Sequence, residues 1–302
     1  MAENDEAVLA LCPPTYMSAE LANNQWMRDI PTNKRHIDLK KAQAQFFELY
    51  SLLTDEALVY LIPPKAGLQD QVYATNAGAI LPHMKRKTFL LSNWKAEGRE
   101  GEELEAAILL QKLGFECQHV PYFFEGEAEV KWLRDDVYLG GYGQRTSLKA
   151  LEWIAEQFHC HIIPIEERDP YLYHLDCSIL PLSHDLVVAY TGCISKETVK
   201  ELKRYATIIP ITKAQAYCGV TNSLRVGYTL FNASCISELP SKHPAFPSLQ
   251  EEQEKNWFLE ELCRNYGLEL VFVNMSEMLK SGALLSCCIL HLGFDSVSLC
   301  KP

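Results

Sequence analysis

Five stretches with helical apolar spacing recur along the chain at nearly even intervals, and this regularity limits the fold more than any other feature. They lie near residues 40–54, 99–114, 146–159, 195–206 and 248–267. Apolar residues at i, i+3, i+4 and i+7 mark one face of a helix. Gly114 supplies a C-terminal stop, and Thr146 or Ser147 and Ser195 supply N-caps. Each stretch is followed by a short β-like run: A-L-V-Y-L-I-P-P, C-Q-H-V-P-Y, H-I-I-P-I, T-I-I-P-I and L-E-L-V-F-V-N. Two further strand-like runs precede the next helix.

The chain therefore reads as α/β, with five units of strand, strand, helix, strand and a period of about 50 residues. The alternative is an ordinary α/β domain whose helices happen to be evenly spaced. Five units around an axis leave a central channel, where residues distant in sequence meet. The whole chain, 1–302, is read as a single domain.

Composition narrows the function classes. The chain has 302 residues, 48% of them hydrophobic, enough for a sizeable core. Its 28 basic and 39 acidic residues give a net charge of −11, which argues against a nucleic-acid scaffold. The start M-A-E-N-D-E-A lacks a basic targeting pattern, and no apolar run approaches the ~20 residues of a membrane helix. A cytosolic protein is expected, with no membrane or nucleic-acid partner. A homo-oligomer is left open. The 11 cysteines are irregularly spaced without a C-x-x-C pair, so no structural zinc is signalled. Neither metal nor cofactor is expected.

Several polar residues stand where strands should be apolar. His174 and Asp176, in Y-H-L-D-C, share a face if that run is a strand, as side chains alternate. Cys287 and Cys288, in L-L-S-C-C-I-L, then point to opposite faces, and only one reaches a central pocket. A thiol needs a nearby cation or histidine to become a nucleophile at neutral pH. Asn76 lies in Y-A-T-N-A-G-A, Glu125 in F-F-E-G-E-A-E-V, and Arg145 precedes Thr146 in G-G-Y-G-Q-R-T. Each has a plain structural reading: a buried core thiol, a hydrogen-bonded pair, a turn at Gly78 or Gly126, a cap at Thr146.

Taken in order, Asn76, Glu125, Arg145–Thr146, His174–Asp176 and Cys287 resemble the guanidine-modifying superfamily. That superfamily comprises arginine deiminases, dimethylarginine dimethylaminohydrolases, amidinotransferases and arginine dihydrolases. The resemblance implies a five-bladed α/β propeller, the pentein fold. L-L-S-C-C is similar to the dimethylarginine-hydrolase ending, which implies Cys287 rather than Cys288 as the nucleophile. Residues 11–27, with Asn24, Trp26 and Met27, and the run around Asn76 look like arginine dihydrolases. Departures are Gln25 for a Pro, and E-G-E-A-E, with Ala128 and Glu129, for E-G-x-G-D. The chain ends about 14 residues after Cys287, and so is expected to be a catalytic part alone.

The resemblance implies that Cys287 attacks a guanidinium carbon while His174 moves protons. Glu125 and Asp176 hold the guanidinium plane, and Arg145 and Arg99 hold a carboxylate, with Asn24 in the substrate site. Asn76 in place of Asp points to a second hydrolysis, from arginine to ornithine. Arginine deiminase, dimethylarginine hydrolase, amidinotransferase and a non-enzymatic interaction module are the rival readings. A zinc site on Cys287, Cys288 and His174 is a weak further one. The three-Pro segment 237–250 is expected to be a loop or a lid.

Overall fold

A computed structural model describes residues 6–300, leaving the side chains of Pro240 and Ser241 aside. Among these residues the strands form five three-stranded sheets. In each, two antiparallel strands are followed by a helix that returns the chain to a third, parallel strand. Parallel neighbours cannot be joined by a tight turn, so the helix serves as the crossover.

The second unit pairs Gly78–Ile80 with Thr88–Leu91 and crosses through helix Glu102–Lys112 to Glu116–His119. The third runs Val130–Arg134, Val137–Tyr142, helix Leu148–Phe158 and His161–Glu166. The fourth has Ile179–Ser183, Leu186–Ala189, helix Lys196–Leu202 and Thr207–Pro210. The fifth has Leu224–Val226, Thr229–Ala233, helix Leu249–Tyr266 and Glu269–Val273.

The first unit is assembled from both ends of the chain. Ala7–Leu11 crosses through helix Leu39–Thr54 to Ala57–Leu61, and Leu290–Gly293 adds antiparallel to Ala7–Leu11, with Leu9 opposite His291. This pairing carries Cys287 from the end of the sequence to the side of the N-terminal segment.

Local chemistry explains where the helices start and stop. Ser147, Ser195 and Ser248 each accept a hydrogen bond from the third helical N–H, and Ser248 forms a capping box with Glu251. Gly267 ends the longest helix in the left-handed region, at φ 63°.

The core is divided among five apolar clusters, and each is shared by two neighbouring units. Ala10 and Ile62 meet Phe89 and Leu110. Leu90 meets Tyr138 and Ile154. Leu139 meets Val187, Leu186 meets Leu259, and Phe231 of the fifth unit meets Leu9 and Phe46 of the first. The segment expected to be a loop contains a 3-10 turn, Ile236–Ser241, and is tied to the first unit where His243 Nε2 meets Lys34 O at 2.8 Å. No described helix is long and apolar enough to cross a membrane.

Candidate active site

Asn76, Glu125, His174, Asp176 and Cys287 sit in or next to the turns that precede the first strand of their units, whereas Arg145, Arg99 and Asn24 lie elsewhere. Four are 3-10 turns: Ala74–Ala77, Gly126–Ala128, Leu175–Cys177 and Ser286–Cys288. In the fifth unit, residues 221–223 form an irregular bend. Asn76, Asp176, Asn222 and Cys287 lie within these turns, and Glu125 and His174 immediately precede two of them.

This corrects the strand reading of H-L-D and C-C. His174 is extended, at φ −134° and ψ 158°, while Asp176 lies inside the turn. The two side chains consequently have different partners rather than one shared face. The turn forms because Cys177 N donates to His174 O and Ser178 N to Leu175 O, both within 3.1 Å. Cys287 and Cys288 are likewise in a turn, and the strand begins only at Leu290. Cys287 lines the cavity described below. Cys288 Sγ lies 3.6 Å from Leu284 O, and its side chain packs into the core.

One half of the site is a bonded cluster of Arg145, Glu125 and His174. Glu125 is fully buried, and its carboxylate accepts from Arg145 at 3.0 Å and from His174 Nε2 at 2.8 Å. An ionised carboxylate only accepts, so His174 Nε2 carries the hydrogen. Glu125 N donates to Thr146 Oγ1 at 3.1 Å, so the Arg-Thr pair holds both the charge and the backbone of Glu125. Burial pushes the Glu125 carboxyl up, but Arg145 and then His174 outweigh it and hold it at about 2. Asn76 Nδ2 stands 3.4 Å from His174 Nε2 and donates to Glu125 O at 3.4 Å. The close approach needs Gly126: its φ is 67°, and a Cβ there would sit 2.7 Å from Thr75 O.

The other half holds the thiol. Cys287 Sγ lies 3.6 Å from Asp176 Oδ2 and accepts from Asn222 Nδ2 at 3.2 Å. Asp176 Oδ2 also accepts from Ser286 Oγ at 2.9 Å, and Ser286 N donates to Asn222 Oδ1 at 2.9 Å. Burial and the neighbouring Asp176 push the Cys287 thiol up to about 12, so the free protein keeps it protonated.

Cys287, His174, Asn76, Arg145, Arg99 and Asn24 line one small pocket together with Asp70, Tyr73 and Tyr173. Asn24, Arg145 and Tyr173 also line an adjoining cavity of about 350 Å³. Arg145 NH2 donates to Asn23 O at 2.6 Å, and its guanidinium lies 5.1 Å from the Tyr173 ring centre. Arg99 is buried, donates to both oxygens of Glu102 and stacks on Trp94. Asn24 caps helix Gln25–Asp29 and donates to Ser281 O at 2.9 Å. A second cavity of about 350 Å³ reaches Cys287 from the Asn222 side, lined by Trp26, Tyr171, Tyr217 and Phe246 of the three-Pro segment.

Asn222 escaped the sequence reading. Thr221–Asn222 precedes the first strand of its unit as Thr75–Asn76 precedes the first strand of another. Reading corresponding positions across the five units would have exposed it.

Residues 13–293 match the family described as N,N dimethylarginine dimethylhydrolase, eukaryotic. The N(G),N(G)-dimethylarginine dimethylaminohydrolase of Mycobacterium tuberculosis is 27% identical over 94% of this chain and 85% of its own length. The bifunctional arginine dihydrolase/ornithine cyclodeaminase ArgZ of Synechocystis is 28% identical, over 62% of this chain and 26% of that longer protein. Among solved structures, the N-terminal domain of ArgZ superposes with a TM-score of 0.80 at 21% identity, covering 96% of this chain and 98% of that one. A dimethylarginine dimethylaminohydrolase from Pseudomonas aeruginosa superposes at 0.69 and 18% identity, covering 95% and 99%. The family match runs from residue 13 to residue 293, and the chain belongs to the N,N-dimethylarginine dimethylhydrolase family.

Proposed function

We propose that the protein hydrolyses the guanidinium group of arginine through a covalent bond to Cys287, and that Asn76 lets it continue to ornithine. The observation that carries this reading is the meeting, at one pocket, of a buried thiol beside a carboxylate and a histidine locked to an ionised glutamate. The five units act as blades of one propeller, a reading supported by core clusters that link each unit to the next and the fifth to the first.

A guanidinium carbon is a poor electrophile because its charge is spread over three nitrogens. Asp176 faces the thiol and can accept two N–H bonds from such a group, fixing its plane. The arriving cation offsets the burial and the Asp176 charge that keep Cys287 protonated, and the thiol passes its proton to His174. The S–C bond then forms. His174 protonates one amino group, the C–N bond breaks, and ammonia leaves a thiouronium on Cys287. His174 next takes a proton from water. The water oxygen bonds to the carbon, the C–S bond breaks, and a ureido product and free Cys287 result. Arg145 and Arg99 line the same pocket, and each shares its guanidinium between its buried glutamate partner and the substrate carboxylate.

Asn76 can donate to the ureido oxygen and accept from its N–H, where an Asp could only accept. A retained ureido product meets a second water, so arginine and two waters give ornithine, two ammonia and carbon dioxide. The family match favours a second reading, a single hydrolysis of arginine or a methylated arginine that stops at citrulline. Incubation with L-arginine and chromatography of the products separates the two. Ornithine with two ammonia, replaced by citrulline in Asn76→Asp, supports the dihydrolase; citrulline from the unaltered protein overturns it. A cytosolic setting suits the chain, whose 11 cysteines are all free thiols.

A further inference from the structure

Beneath the H-L-D turn lie two acids that the proposed chemistry does not use. Glu129, in the stretch that departs from E-G-x-G-D, is fully buried, and Glu167, just past strand His161–Glu166, is only 6% exposed. Glu129 Oε2 accepts from Leu175 N at 3.2 Å, the amide between His174 and Asp176. Glu129 Oε1 and both carboxyl oxygens of Glu167 have no protein partner.

The two carboxyls converge on one spot above Gly141. A Cβ on Gly141 would lie 2.4 Å from Glu129 Oε2, 2.7 Å from Glu167 Oε1 and 3.0 Å from Leu175 Cβ. The bare glycine is what makes room for both. Among the described residues no Lys or Arg forms an ion pair with either carboxyl, and Arg145 pairs with Glu125 instead. The other ionisable groups facing the pair are Glu125, His174, Asp176 and Cys177.

Two adjoining carboxylates in such surroundings cannot both ionise. One proton between them turns an orphan oxygen into a donor, so that the two carboxyls bond to one another. Burial lifts both carboxyls above the ordinary range, Glu167 furthest because Glu129, Asp176 and Glu125 all face it.

We propose that Glu129 and Glu167 share one proton and, through the Leu175 amide, act as positioning residues for His174 and Asp176. The positioning role rests on the reading of His174 and Asp176 given above; the shared proton does not. When the proton is lost, two like charges press apart directly under the turn. The pair thus sets an alkaline limit on activity that belongs to neither Cys287 nor His174.

Glu167→Gln tests this, because an amide N–H donating to the Glu129 carboxylate imitates the shared proton at every pH. The folded wild type keeps a proton that the unfolded chain loses in the ordinary carboxyl range. Its stability therefore falls as pH rises from that range to the point where the pair titrates. The unfolding constant of the wild type should rise about tenfold per pH unit relative to Glu167→Gln across that window. Denaturant unfolding from about pH 5 to pH 9 reads this whatever the substrate is. Glu129→Gln makes the same comparison from the other side should Glu167→Gln not fold. Parallel stability curves for wild type and variant overturn the shared proton. Turnover of L-arginine that persists to higher pH in Glu167→Gln supports positioning, and alkaline limbs that coincide overturn it.

Discussion

The site treats two of its buried acids, Glu125 and Cys287, in opposite ways. Glu125 is flanked by Arg145 and His174 and is held ionised, at about 2. Burial, with Asp176 adding to it, pushes the Cys287 thiol up to about 12. Both are buried, so burial alone does not decide; the sign of the neighbouring charge does. On the proposed reading, the proton-handling half is assembled before substrate arrives, and the nucleophile stays latent until a cation enters.

Breaking the latent half has the largest expected effect. Cys287→Ser should lower kcat on arginine by about 10⁴-fold or more with the fold intact, as loss of a nucleophile does. Breaking the preassembled half costs less: His174→Ala should lower kcat by about 10²–10⁴-fold, read by steady-state kinetics.

Removing the charge that ionises Glu125 acts on stability. Arg145→Met leaves a buried carboxylate without its cation and should cost about 3–5 kcal/mol in denaturant unfolding. In the intact protein the lowered Glu125 carboxyl stabilises the fold above the ordinary carboxyl range. That stability drains away as pH falls toward about 2, a total of roughly 3 kcal/mol.

Asp176→Asn sharpens the comparison from the thiol side. Without the negative neighbour the Cys287 thiol should titrate below about 12, so iodoacetamide should label it faster at neutral pH while turnover falls. Cys288→Ala is the smallest change. Its side chain faces the core, so a loss of about 1–2 kcal/mol in stability is expected, with turnover retained.

These contrasts show what could be read from the residues alone. The helices, their serine caps and the strands that follow them are legible because each has a period or a capping residue. Leu148–Phe158 and Leu249–Tyr266 begin within three residues of the expected starts. The turns that hold the chemistry are three or four residues long and have no period. H-L-D and S-C-C therefore read as strands, although backbone bonds such as Cys177 N to His174 O curl them. Partnerships such as Asn222 with Cys287, 65 residues apart, arise only when the units come together. The change to E-G-E-A-E was visible as a departure. Its consequence was not, since Glu167 is distant in sequence and Gly141 gives no sign that it must stay bare.

The most direct test of the account is acid quenching during turnover of L-arginine, followed by mass spectrometry of the peptide that contains both Cys287 and Cys288. The account predicts a substrate-derived adduct on Cys287 that disappears, together with turnover, in Cys287→Ser. An adduct on Cys288, or turnover that survives Cys287→Ser, would contradict it.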